Sequence, residues 1–329
     1  MRPSDGLPGR CRAGAAPHAR DERPVAALAG VRGPLVLTIS SFVFFLAMGA
    51  GLASGATNGA ASPPGGDGSQ SAQRAPARIV SISPSVTETL FALGAGQRVV
   101  AVSNFCDYPP EVAALPKIGS FLVPSVEAIV GLAPDVAIGT PSPGNREAVE
   151  ALRRLGVRVE IVDAAHLADV PAAMRAIAAA AGVPEAGERM AAGFLRDMEA
   201  VRARVAGAPS RRVLMVVGHD PLVAVGHASF LGELLAETGA MNAAPPGGAW
   251  PRVNVEHVIA ADPEIVIDSS MGSEDGGSAG RFWERFPSLT AVRGRRVHAF
   301  HSDRVLRPGP RLAAAFADLA RLIHPERWK

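Results

Sequence analysis

Val253-Asn254-Val255-Glu256-His257-Val258-Ile259-Ala260-Ala261-Asp262-Pro263-Glu264-Ile265-Val266-Ile267 is the stretch that decides the fold, because its plan occurs twice. The earlier copy is Val126-Glu127-Ala128-Ile129-Val130-Gly131-Leu132-Ala133-Pro134-Asp135-Val136-Ala137-Ile138. By subtraction, Glu127 and Glu256 stand 129 residues apart, and so do Pro134 and Pro263. Each copy opens on a capping residue, Ser125 or Asn254, whose side chain can accept a bond from a free helix N–H. Each then carries a Glu where the helix dipole favours negative charge. A short apolar helix must end before the Pro, which disfavours helical geometry in the residue ahead of it. An acidic residue then leads into a β-branched run, Val136 to Ile138 or Ile265 to Ile267, that reads as a buried strand. One helix–turn–strand unit used twice at this separation implies two lobes built alike. The period is far too long for a solenoid.

Outward from the two copies, strands alternate with helices. Globular sequence starts at Arg78. Ile79 to Ile82 reads as a strand, and a helix runs from Ser83-Pro84-Ser85 to about Leu93, with Ser85 and Glu88 spaced as a capping box. Val99 to Val102 is a second strand. Arg146 to Leu155 is a helix closed by Gly156, and Val157 to Val162 a strand. The pattern is α/β with mostly parallel sheets. Two helices without strands follow, Val170 to Ala181 and Pro184 to Val205. The second, with proline in its first turn, repeats Ala186, Met190, Phe194, Met198 and Val201 at helical spacing. It would rise about 33 Å, enough to bridge both lobes. Strands then resume at Arg212 to Val217 and end with Val297 to Phe300. Between them lie a helix from Ser229 to Thr238 and a short one from Trp283 to Phe286, and an amphipathic helix, Arg311 to Ile323, closes the chain.

The expected organisation is therefore an extension at 1–34, a segment at 35–56 and a flexible linker at 57–77. A first lobe follows at 78–168, connecting helices at 169–207 and a second lobe at 208–329. The run Leu35 to Leu52 is apolar, follows Arg32 and precedes small residues, as a signal peptide for export does. Its length also suits an uncleaved membrane anchor. No Cys follows the run, so lipoprotein processing is not expected, and a free monomer in a bacterial periplasm is. Of the two cysteines, Cys11 lies in the extension, so Cys106 has no partner and a disulfide scaffold is excluded. The 33 basic and 31 acidic residues are interspersed and give no argument for nucleic acid.

Catalytic constellations are missing. There is no Gly-x-Ser-x-Gly elbow, no phosphate loop, no His-Glu-x-x-His and no Cys-x-x-Cys. The eight histidines are scattered. His219 and His301 are the nearest to candidate metal ligands, and no metal is expected. Tyr108 offers a phenolate, with loop packing as the plainer role. What remains is a cleft between lobes, where ligands of α/β folds bind beyond the carboxyl ends of strands. The loops at those ends, Ser103 to Pro110, Phe121 to Pro124, Thr140 to Asn145, His219 to Val223, Gly247 to Trp250 and Ser302 to Arg307, hold Phe105, Phe121, Trp250, Asp303 and Arg307. Three loop aromatics in an aromatic-poor chain suit a flat apolar ligand.

The segments Arg78-Ile79-Val80-Ser81-Ile82-Ser83-Pro84-Ser85 with Thr87-Glu88, Asp107-Tyr108-Pro109-Pro110, Val126-Glu127 with Pro134-Asp135, and Trp250-Pro251 with Glu256 carry a resemblance. In order, they resemble the periplasmic cobalamin-binding proteins of ABC importers. That family belongs to the helical-backbone (class III) binding-protein superfamily, shared with ferric siderophore and haem binders. The resemblance implies aromatic corrin contacts at Phe105, Phe121 and Trp250, an acidic and a basic cleft residue at Asp303 and Arg307, and two permease-docking glutamates, Glu127 and Glu256. A further family Trp position falls on Thr140. The implied function is capture of cobalamin or another corrinoid and delivery to an ABC permease dimer, with no bond made or broken and no cofactor. A rigid bridging helix implies little lobe motion. A ferric siderophore or haem binder is the alternative within the superfamily. An enzyme of the dehydrogenase or transferase kind lacks its glycine loop here, and a membrane-tethered scaffold using only the two glutamates is a third reading.

Overall fold

The computed structural model describes residues 75–270, 277–300 and 302–329. The expected extension, the 35–56 segment and nearly all of the linker lie outside the described residues. No helix among the described residues is long and apolar enough to cross a membrane.

The first lobe is built from β1 (Ile79–Ser81), α1 (Pro84–Ala92), β2 (Val99–Val102), α2 (Val126–Gly131), β3 (Val136–Gly139), α3 (Arg146–Arg154) and β4 (Val159–Ile161). Its sheet has the order β2-β1-β3-β4, all parallel. Two helices follow, α4 (Val170–Ala180) and α5 (Pro184–Val205). The second lobe comprises β5 (Arg212–His219), β6 (Leu222–Ala224), α6 (Phe230–Glu237), β7 (Met241–Asn242), α7 (Val255–Ala261), β8 (Ile265–Asp268), α8 (Gly277–Trp283), α9 (Thr290–Arg293), β9 (Val297–Ala299), α10 (Ser302–Val305) and α11 (Leu312–Ile323). Its sheet runs β6-β5-β8-β9, with β7 also on β5, and only β6 antiparallel. The fold is α/β with two similar lobes.

Strands with helices on both faces read as continuous apolar runs, and here successive residues point into different cores. Ile79, Val136, Ile138, Val213, Met215, Ile265 and Ile267 face one cluster that also takes Phe194, Met198, Val201 and Val205 of α5 and Phe316 and Leu319 of α11. The alternate residues Val80 and Ala137 face a separate first-lobe core, and Leu214, Val216 and Val266 a separate second-lobe core. The inner faces of both sheets thus share one core around the long helix.

The repeat is structural. Ser125 accepts a hydrogen bond from the Ala128 N–H and Asn254 from the His257 N–H. Ala133 and Asp262, each just before its Pro, are left-handed at φ 45° and 37°. Asp135 accepts the backbone N–H of Arg78 at the start of β1, and Glu264 that of Arg212 at the start of β5. The side chains of Arg78 and Arg212 in turn donate to the carbonyls of Leu132 and Asp262. Both short helices are therefore tied to their sheets by the same set of bonds.

Three expectations are corrected. Ser85 and Glu88 form no capping box: the helix is capped two residues earlier at Ser83, without a side-chain hydrogen bond, and Glu88 is buried in ion pairs. The helix placed at Trp283 to Phe286 instead ends at Trp283, whose indole N–H is drawn to the buried Asp268 at 2.7 Å. The segments read as loops at His219 to Val223 and Ser302 to Arg307 contain the β5–β6 hairpin and α10.

Candidate functional site

A cavity of about 600 Å³ lies between the lobes. From the first lobe it is walled by Ser83 to Ser85, Phe105, Phe121, Thr140, Pro141 and Asp163 to Ala165, and from the second by Ala228 to Phe230, Ala249, Trp250 and Leu306 to Pro308. The loops after β1 and β3 contribute, which is the point where the strand order reverses, the expected ligand position in such a sheet. Phe105, Phe121, Trp250 and Arg307 are thus brought together, and Thr140 with them. Asp303 lies on α10, half-buried, and is not among the described lining residues.

The three aromatics are held differently. Phe105 and Phe121 pack edge to face at 5.4 Å between centroids, an arrangement ring quadrupoles favour. The buried Asn145 amide donates to the carbonyls of Phe121 and Thr140, bracing those two loops. Trp250, 43% exposed, shares the second-lobe wall with the buried Phe230. Its loop lies so close to Gly226 that a Cβ there would fall 2.3 Å from the Gly248 oxygen. The Gly226 N–H donates to Ala249 at 2.9 Å. Phe121 and Trp250 are themselves 129 positions apart, so the repeat places one aromatic on each wall.

Arg307 joins the lobes. Its terminal nitrogens donate to Glu88 at 3.0 Å, to both oxygens of Asp107 and to the Phe105 carbonyl at 3.3 Å. Arg311 also binds Glu88, at 2.8 Å, and stacks its guanidinium over the Tyr108 ring at 3.9 Å. Tyr108 is accordingly a loop-packing residue. Burial opposes the charge of Arg307, but its hydrogen bonds to Asp107 and Glu88 outweigh burial and raise its pKa. The Arg307 hydrogen bond holds the Asp107 carboxyl below the usual range. A second lobe contact lies at another wall: Glu233 accepts from the Leu167 N–H and meets His166 Nδ1, both at 2.7 Å. That bond raises the His166 pKa.

Away from the cavity, His219 Nε2 lies 2.7 Å from Asp268, and its ring stacks on Phe282 at 4.1 Å. His219 is thus a satisfied structural residue, and His301 lies outside the described residues. No group of three or more His, Cys, Asp or Glu side chains capable of holding a metal occurs among the described residues. Glu127 and Glu256 are exposed in the first turns of α2 and α7.

A match to the periplasmic binding protein family spans residues 79–303, from β1 of the first lobe to α10 of the second. The chain belongs to the periplasmic binding protein family. This binding protein is 31% identical over 244 residues to a vitamin B12-binding protein of Pectobacterium carotovorum, covering 73% of this chain and 86% of the relative. Its fold is similar to that of the periplasmic vitamin B12-binding protein of Vibrio cholerae, with a TM-score of 0.68, 25% identity and coverage of 77% and 98%. It is equally similar to a periplasmic haem-binding protein of Roseiflexus sp. RS-1, with a TM-score of 0.70, 31% identity and coverage of 76% and 98%. The family is one of ligand-binding transport components, and the site has the form such a role needs. Sequence reading did not find Glu88, Asn145, His166 or Glu233 in this binding protein. The only signal for Glu88 was its apolar surroundings, which make an acidic residue expensive to bury unpaired.

Proposed function

We propose that the protein captures cobalamin or a related corrinoid in the periplasm and hands it to an ABC permease dimer. One observation carries the reading: an interlobe cavity of small-molecule size whose two walls present opposed aromatics, Phe105 with Phe121 on one and Trp250 on the other. Apolar burial of a flat ring there contributes about 25 cal/mol per Å². The cation among the described wall residues, Arg307, is already balanced by Glu88 and Asp107, which suits an uncharged ring better than an anionic iron chelate. Binding involves no bond making or breaking. The export segment at 35–56 accounts for the compartment, and Glu127 and Glu256, one per lobe, are the residues that meet arginines of the permease.

Haem is the second reading, favoured by the likeness to haem-binding proteins. Against it, the described wall residues include no His, Tyr, Cys or Met to ligate iron, whereas the cobalt of a corrinoid brings its own axial groups. Calorimetric titration with cyanocobalamin, haem and a ferric siderophore in parallel tests the choice. One-to-one cobalamin binding below micromolar supports the reading. A Soret band with haem and no heat with cobalamin would move the ligand. Silence from all three would end it.

A further inference from the structure

The two short helices leave more than their glutamates in the open. Val130 of α2 is 38% exposed and Ile259 of α7 49% exposed. Each stands three positions after its glutamate, and residues three apart are neighbours on a helix surface. The next residues, Gly131 and Ala260, are exposed as well, and both are small. A lone exposed aliphatic side chain is ordinary. Leu155, Leu195 and Met241 are such cases, and the positions 129 away hold Glu284, His324 and Val112. Val130 and Ile259, by contrast, are each other's counterparts in the repeat, as their glutamates are. The braces from Arg78 and Arg212, and the left-handed Ala133 and Asp262, fix both helices alike on their sheets.

Granted that Glu127 and Glu256 meet a permease, we infer that Val130 and Ile259 are the apolar anchors of that docking surface. Each seats in an apolar recess beside the cation that takes the glutamate. Gly131 and Ala260 stay small so that the partner can approach the helix closely. The partner must therefore offer the same pair twice, a cation and an apolar recess about one helical turn, roughly 5 Å, apart. The physical need is clear: an exposed ion pair contributes little while water reaches it, and a flanking apolar contact that excludes water is what makes such a pair count. The partner favoured by this charge-plus-apolar pattern, repeated once per lobe, is a two-fold dimer.

The test measures association of the protein with the permease dimer of its importer in lipid nanodiscs, by surface plasmon resonance. The variants are Val130→Ser, Ile259→Ser, both together, Ala260→Gln, and the pair Glu127→Ala with Glu256→Ala. Cyanocobalamin titration and thermal melting of each variant control for folding. Each serine variant should bind about tenfold more weakly, and the double variant about a hundredfold, with ligand titration unchanged. Ala260→Gln should weaken docking by obstruction, without removing any apolar surface. Wild-type docking by the serine and Gln variants alongside lost docking in the glutamate pair would overturn the anchors and leave the glutamate reading standing. Wild-type docking by the glutamate pair would overturn both.

Discussion

Glu88 of the first lobe and Arg307 of the second meet at 3.0 Å, with the Glu88 side chain only 2% exposed. Arg311 shares the same carboxylate. Burying such a carboxylate is tolerable only because both guanidinium groups surround it. Glu88→Gln leaves two cations facing a neutral amide, and breaking a buried pair from one side costs about 3 kcal/mol or more. Urea unfolding should show a loss of unfolding free energy of that size, read from the midpoint and its slope. A loss no larger than an exposed substitution gives would mean the contact is solvated.

The two lobe contacts should respond to pH at opposite ends. Asp107 is held below the ordinary carboxyl range by the Arg307 hydrogen bond, so its contribution is present above the unfolded value, about 3.9, and is lost as pH falls through the depressed one. His166 is raised above the ordinary imidazole value by its hydrogen bond to Glu233, with Asp169 and Asp163 also facing it. Its contribution is complete below the unfolded value of about 6.5 and fades as pH rises through the elevated one. NMR titration should place His166 above free histidine, and Glu233→Gln should bring it back. Unchanged titration in that variant would refute the assignment.

Left-handed backbone is costly for an L-residue with a side chain, by about 1–2 kcal/mol. Ala133 makes no compensating side-chain bond, so Ala133→Gly should raise stability by up to about 1 kcal/mol. Asp262→Gly relieves the same strain but removes the bonds that Asp262 accepts from the Thr290 N–H and hydroxyl, at 2.8 and 2.7 Å. It should therefore give no gain or a loss. Thermal unfolding of the two variants side by side checks the contrast.

Trp250 is the exposed aromatic of its wall, where Phe230 is buried, whereas Phe105 and Phe121 back each other. Trp250→Ala should therefore weaken cyanocobalamin binding by a factor of about 30 to 100, and Phe121→Ala by about fivefold. Equal losses in calorimetry would mean that the ring does not lie between the walls.

Much of this was legible in the sequence for a local reason. The repeat, the helix from Pro184 to Val205 and the buried strands are written in caps, prolines and periodicity, and the elements fall on or within about two residues of those signals. Phe105, Phe121, Thr140, Trp250 and Arg307 converge on the cavity because each follows a strand end or closes a loop at one edge of the lobes. Glu88 escaped because Ser85-x-x-Glu88 satisfies a local rule while an arginine pair more than two hundred residues later outbids it. His166 with Glu233 escaped for the same reason, being 67 residues apart with no local trace. The β5–β6 hairpin was hidden by Asp220-Pro221, which reads as a loop when seen without its neighbouring strand.

The core that wraps α5 has a kinetic consequence. With the inner faces of both sheets packed on one continuous helix, capture needs no slow closing step after encounter. Ligand uptake should then follow a single exponential whose rate rises linearly with concentration, without a plateau. Differences between ligands would appear almost wholly in how long each one stays.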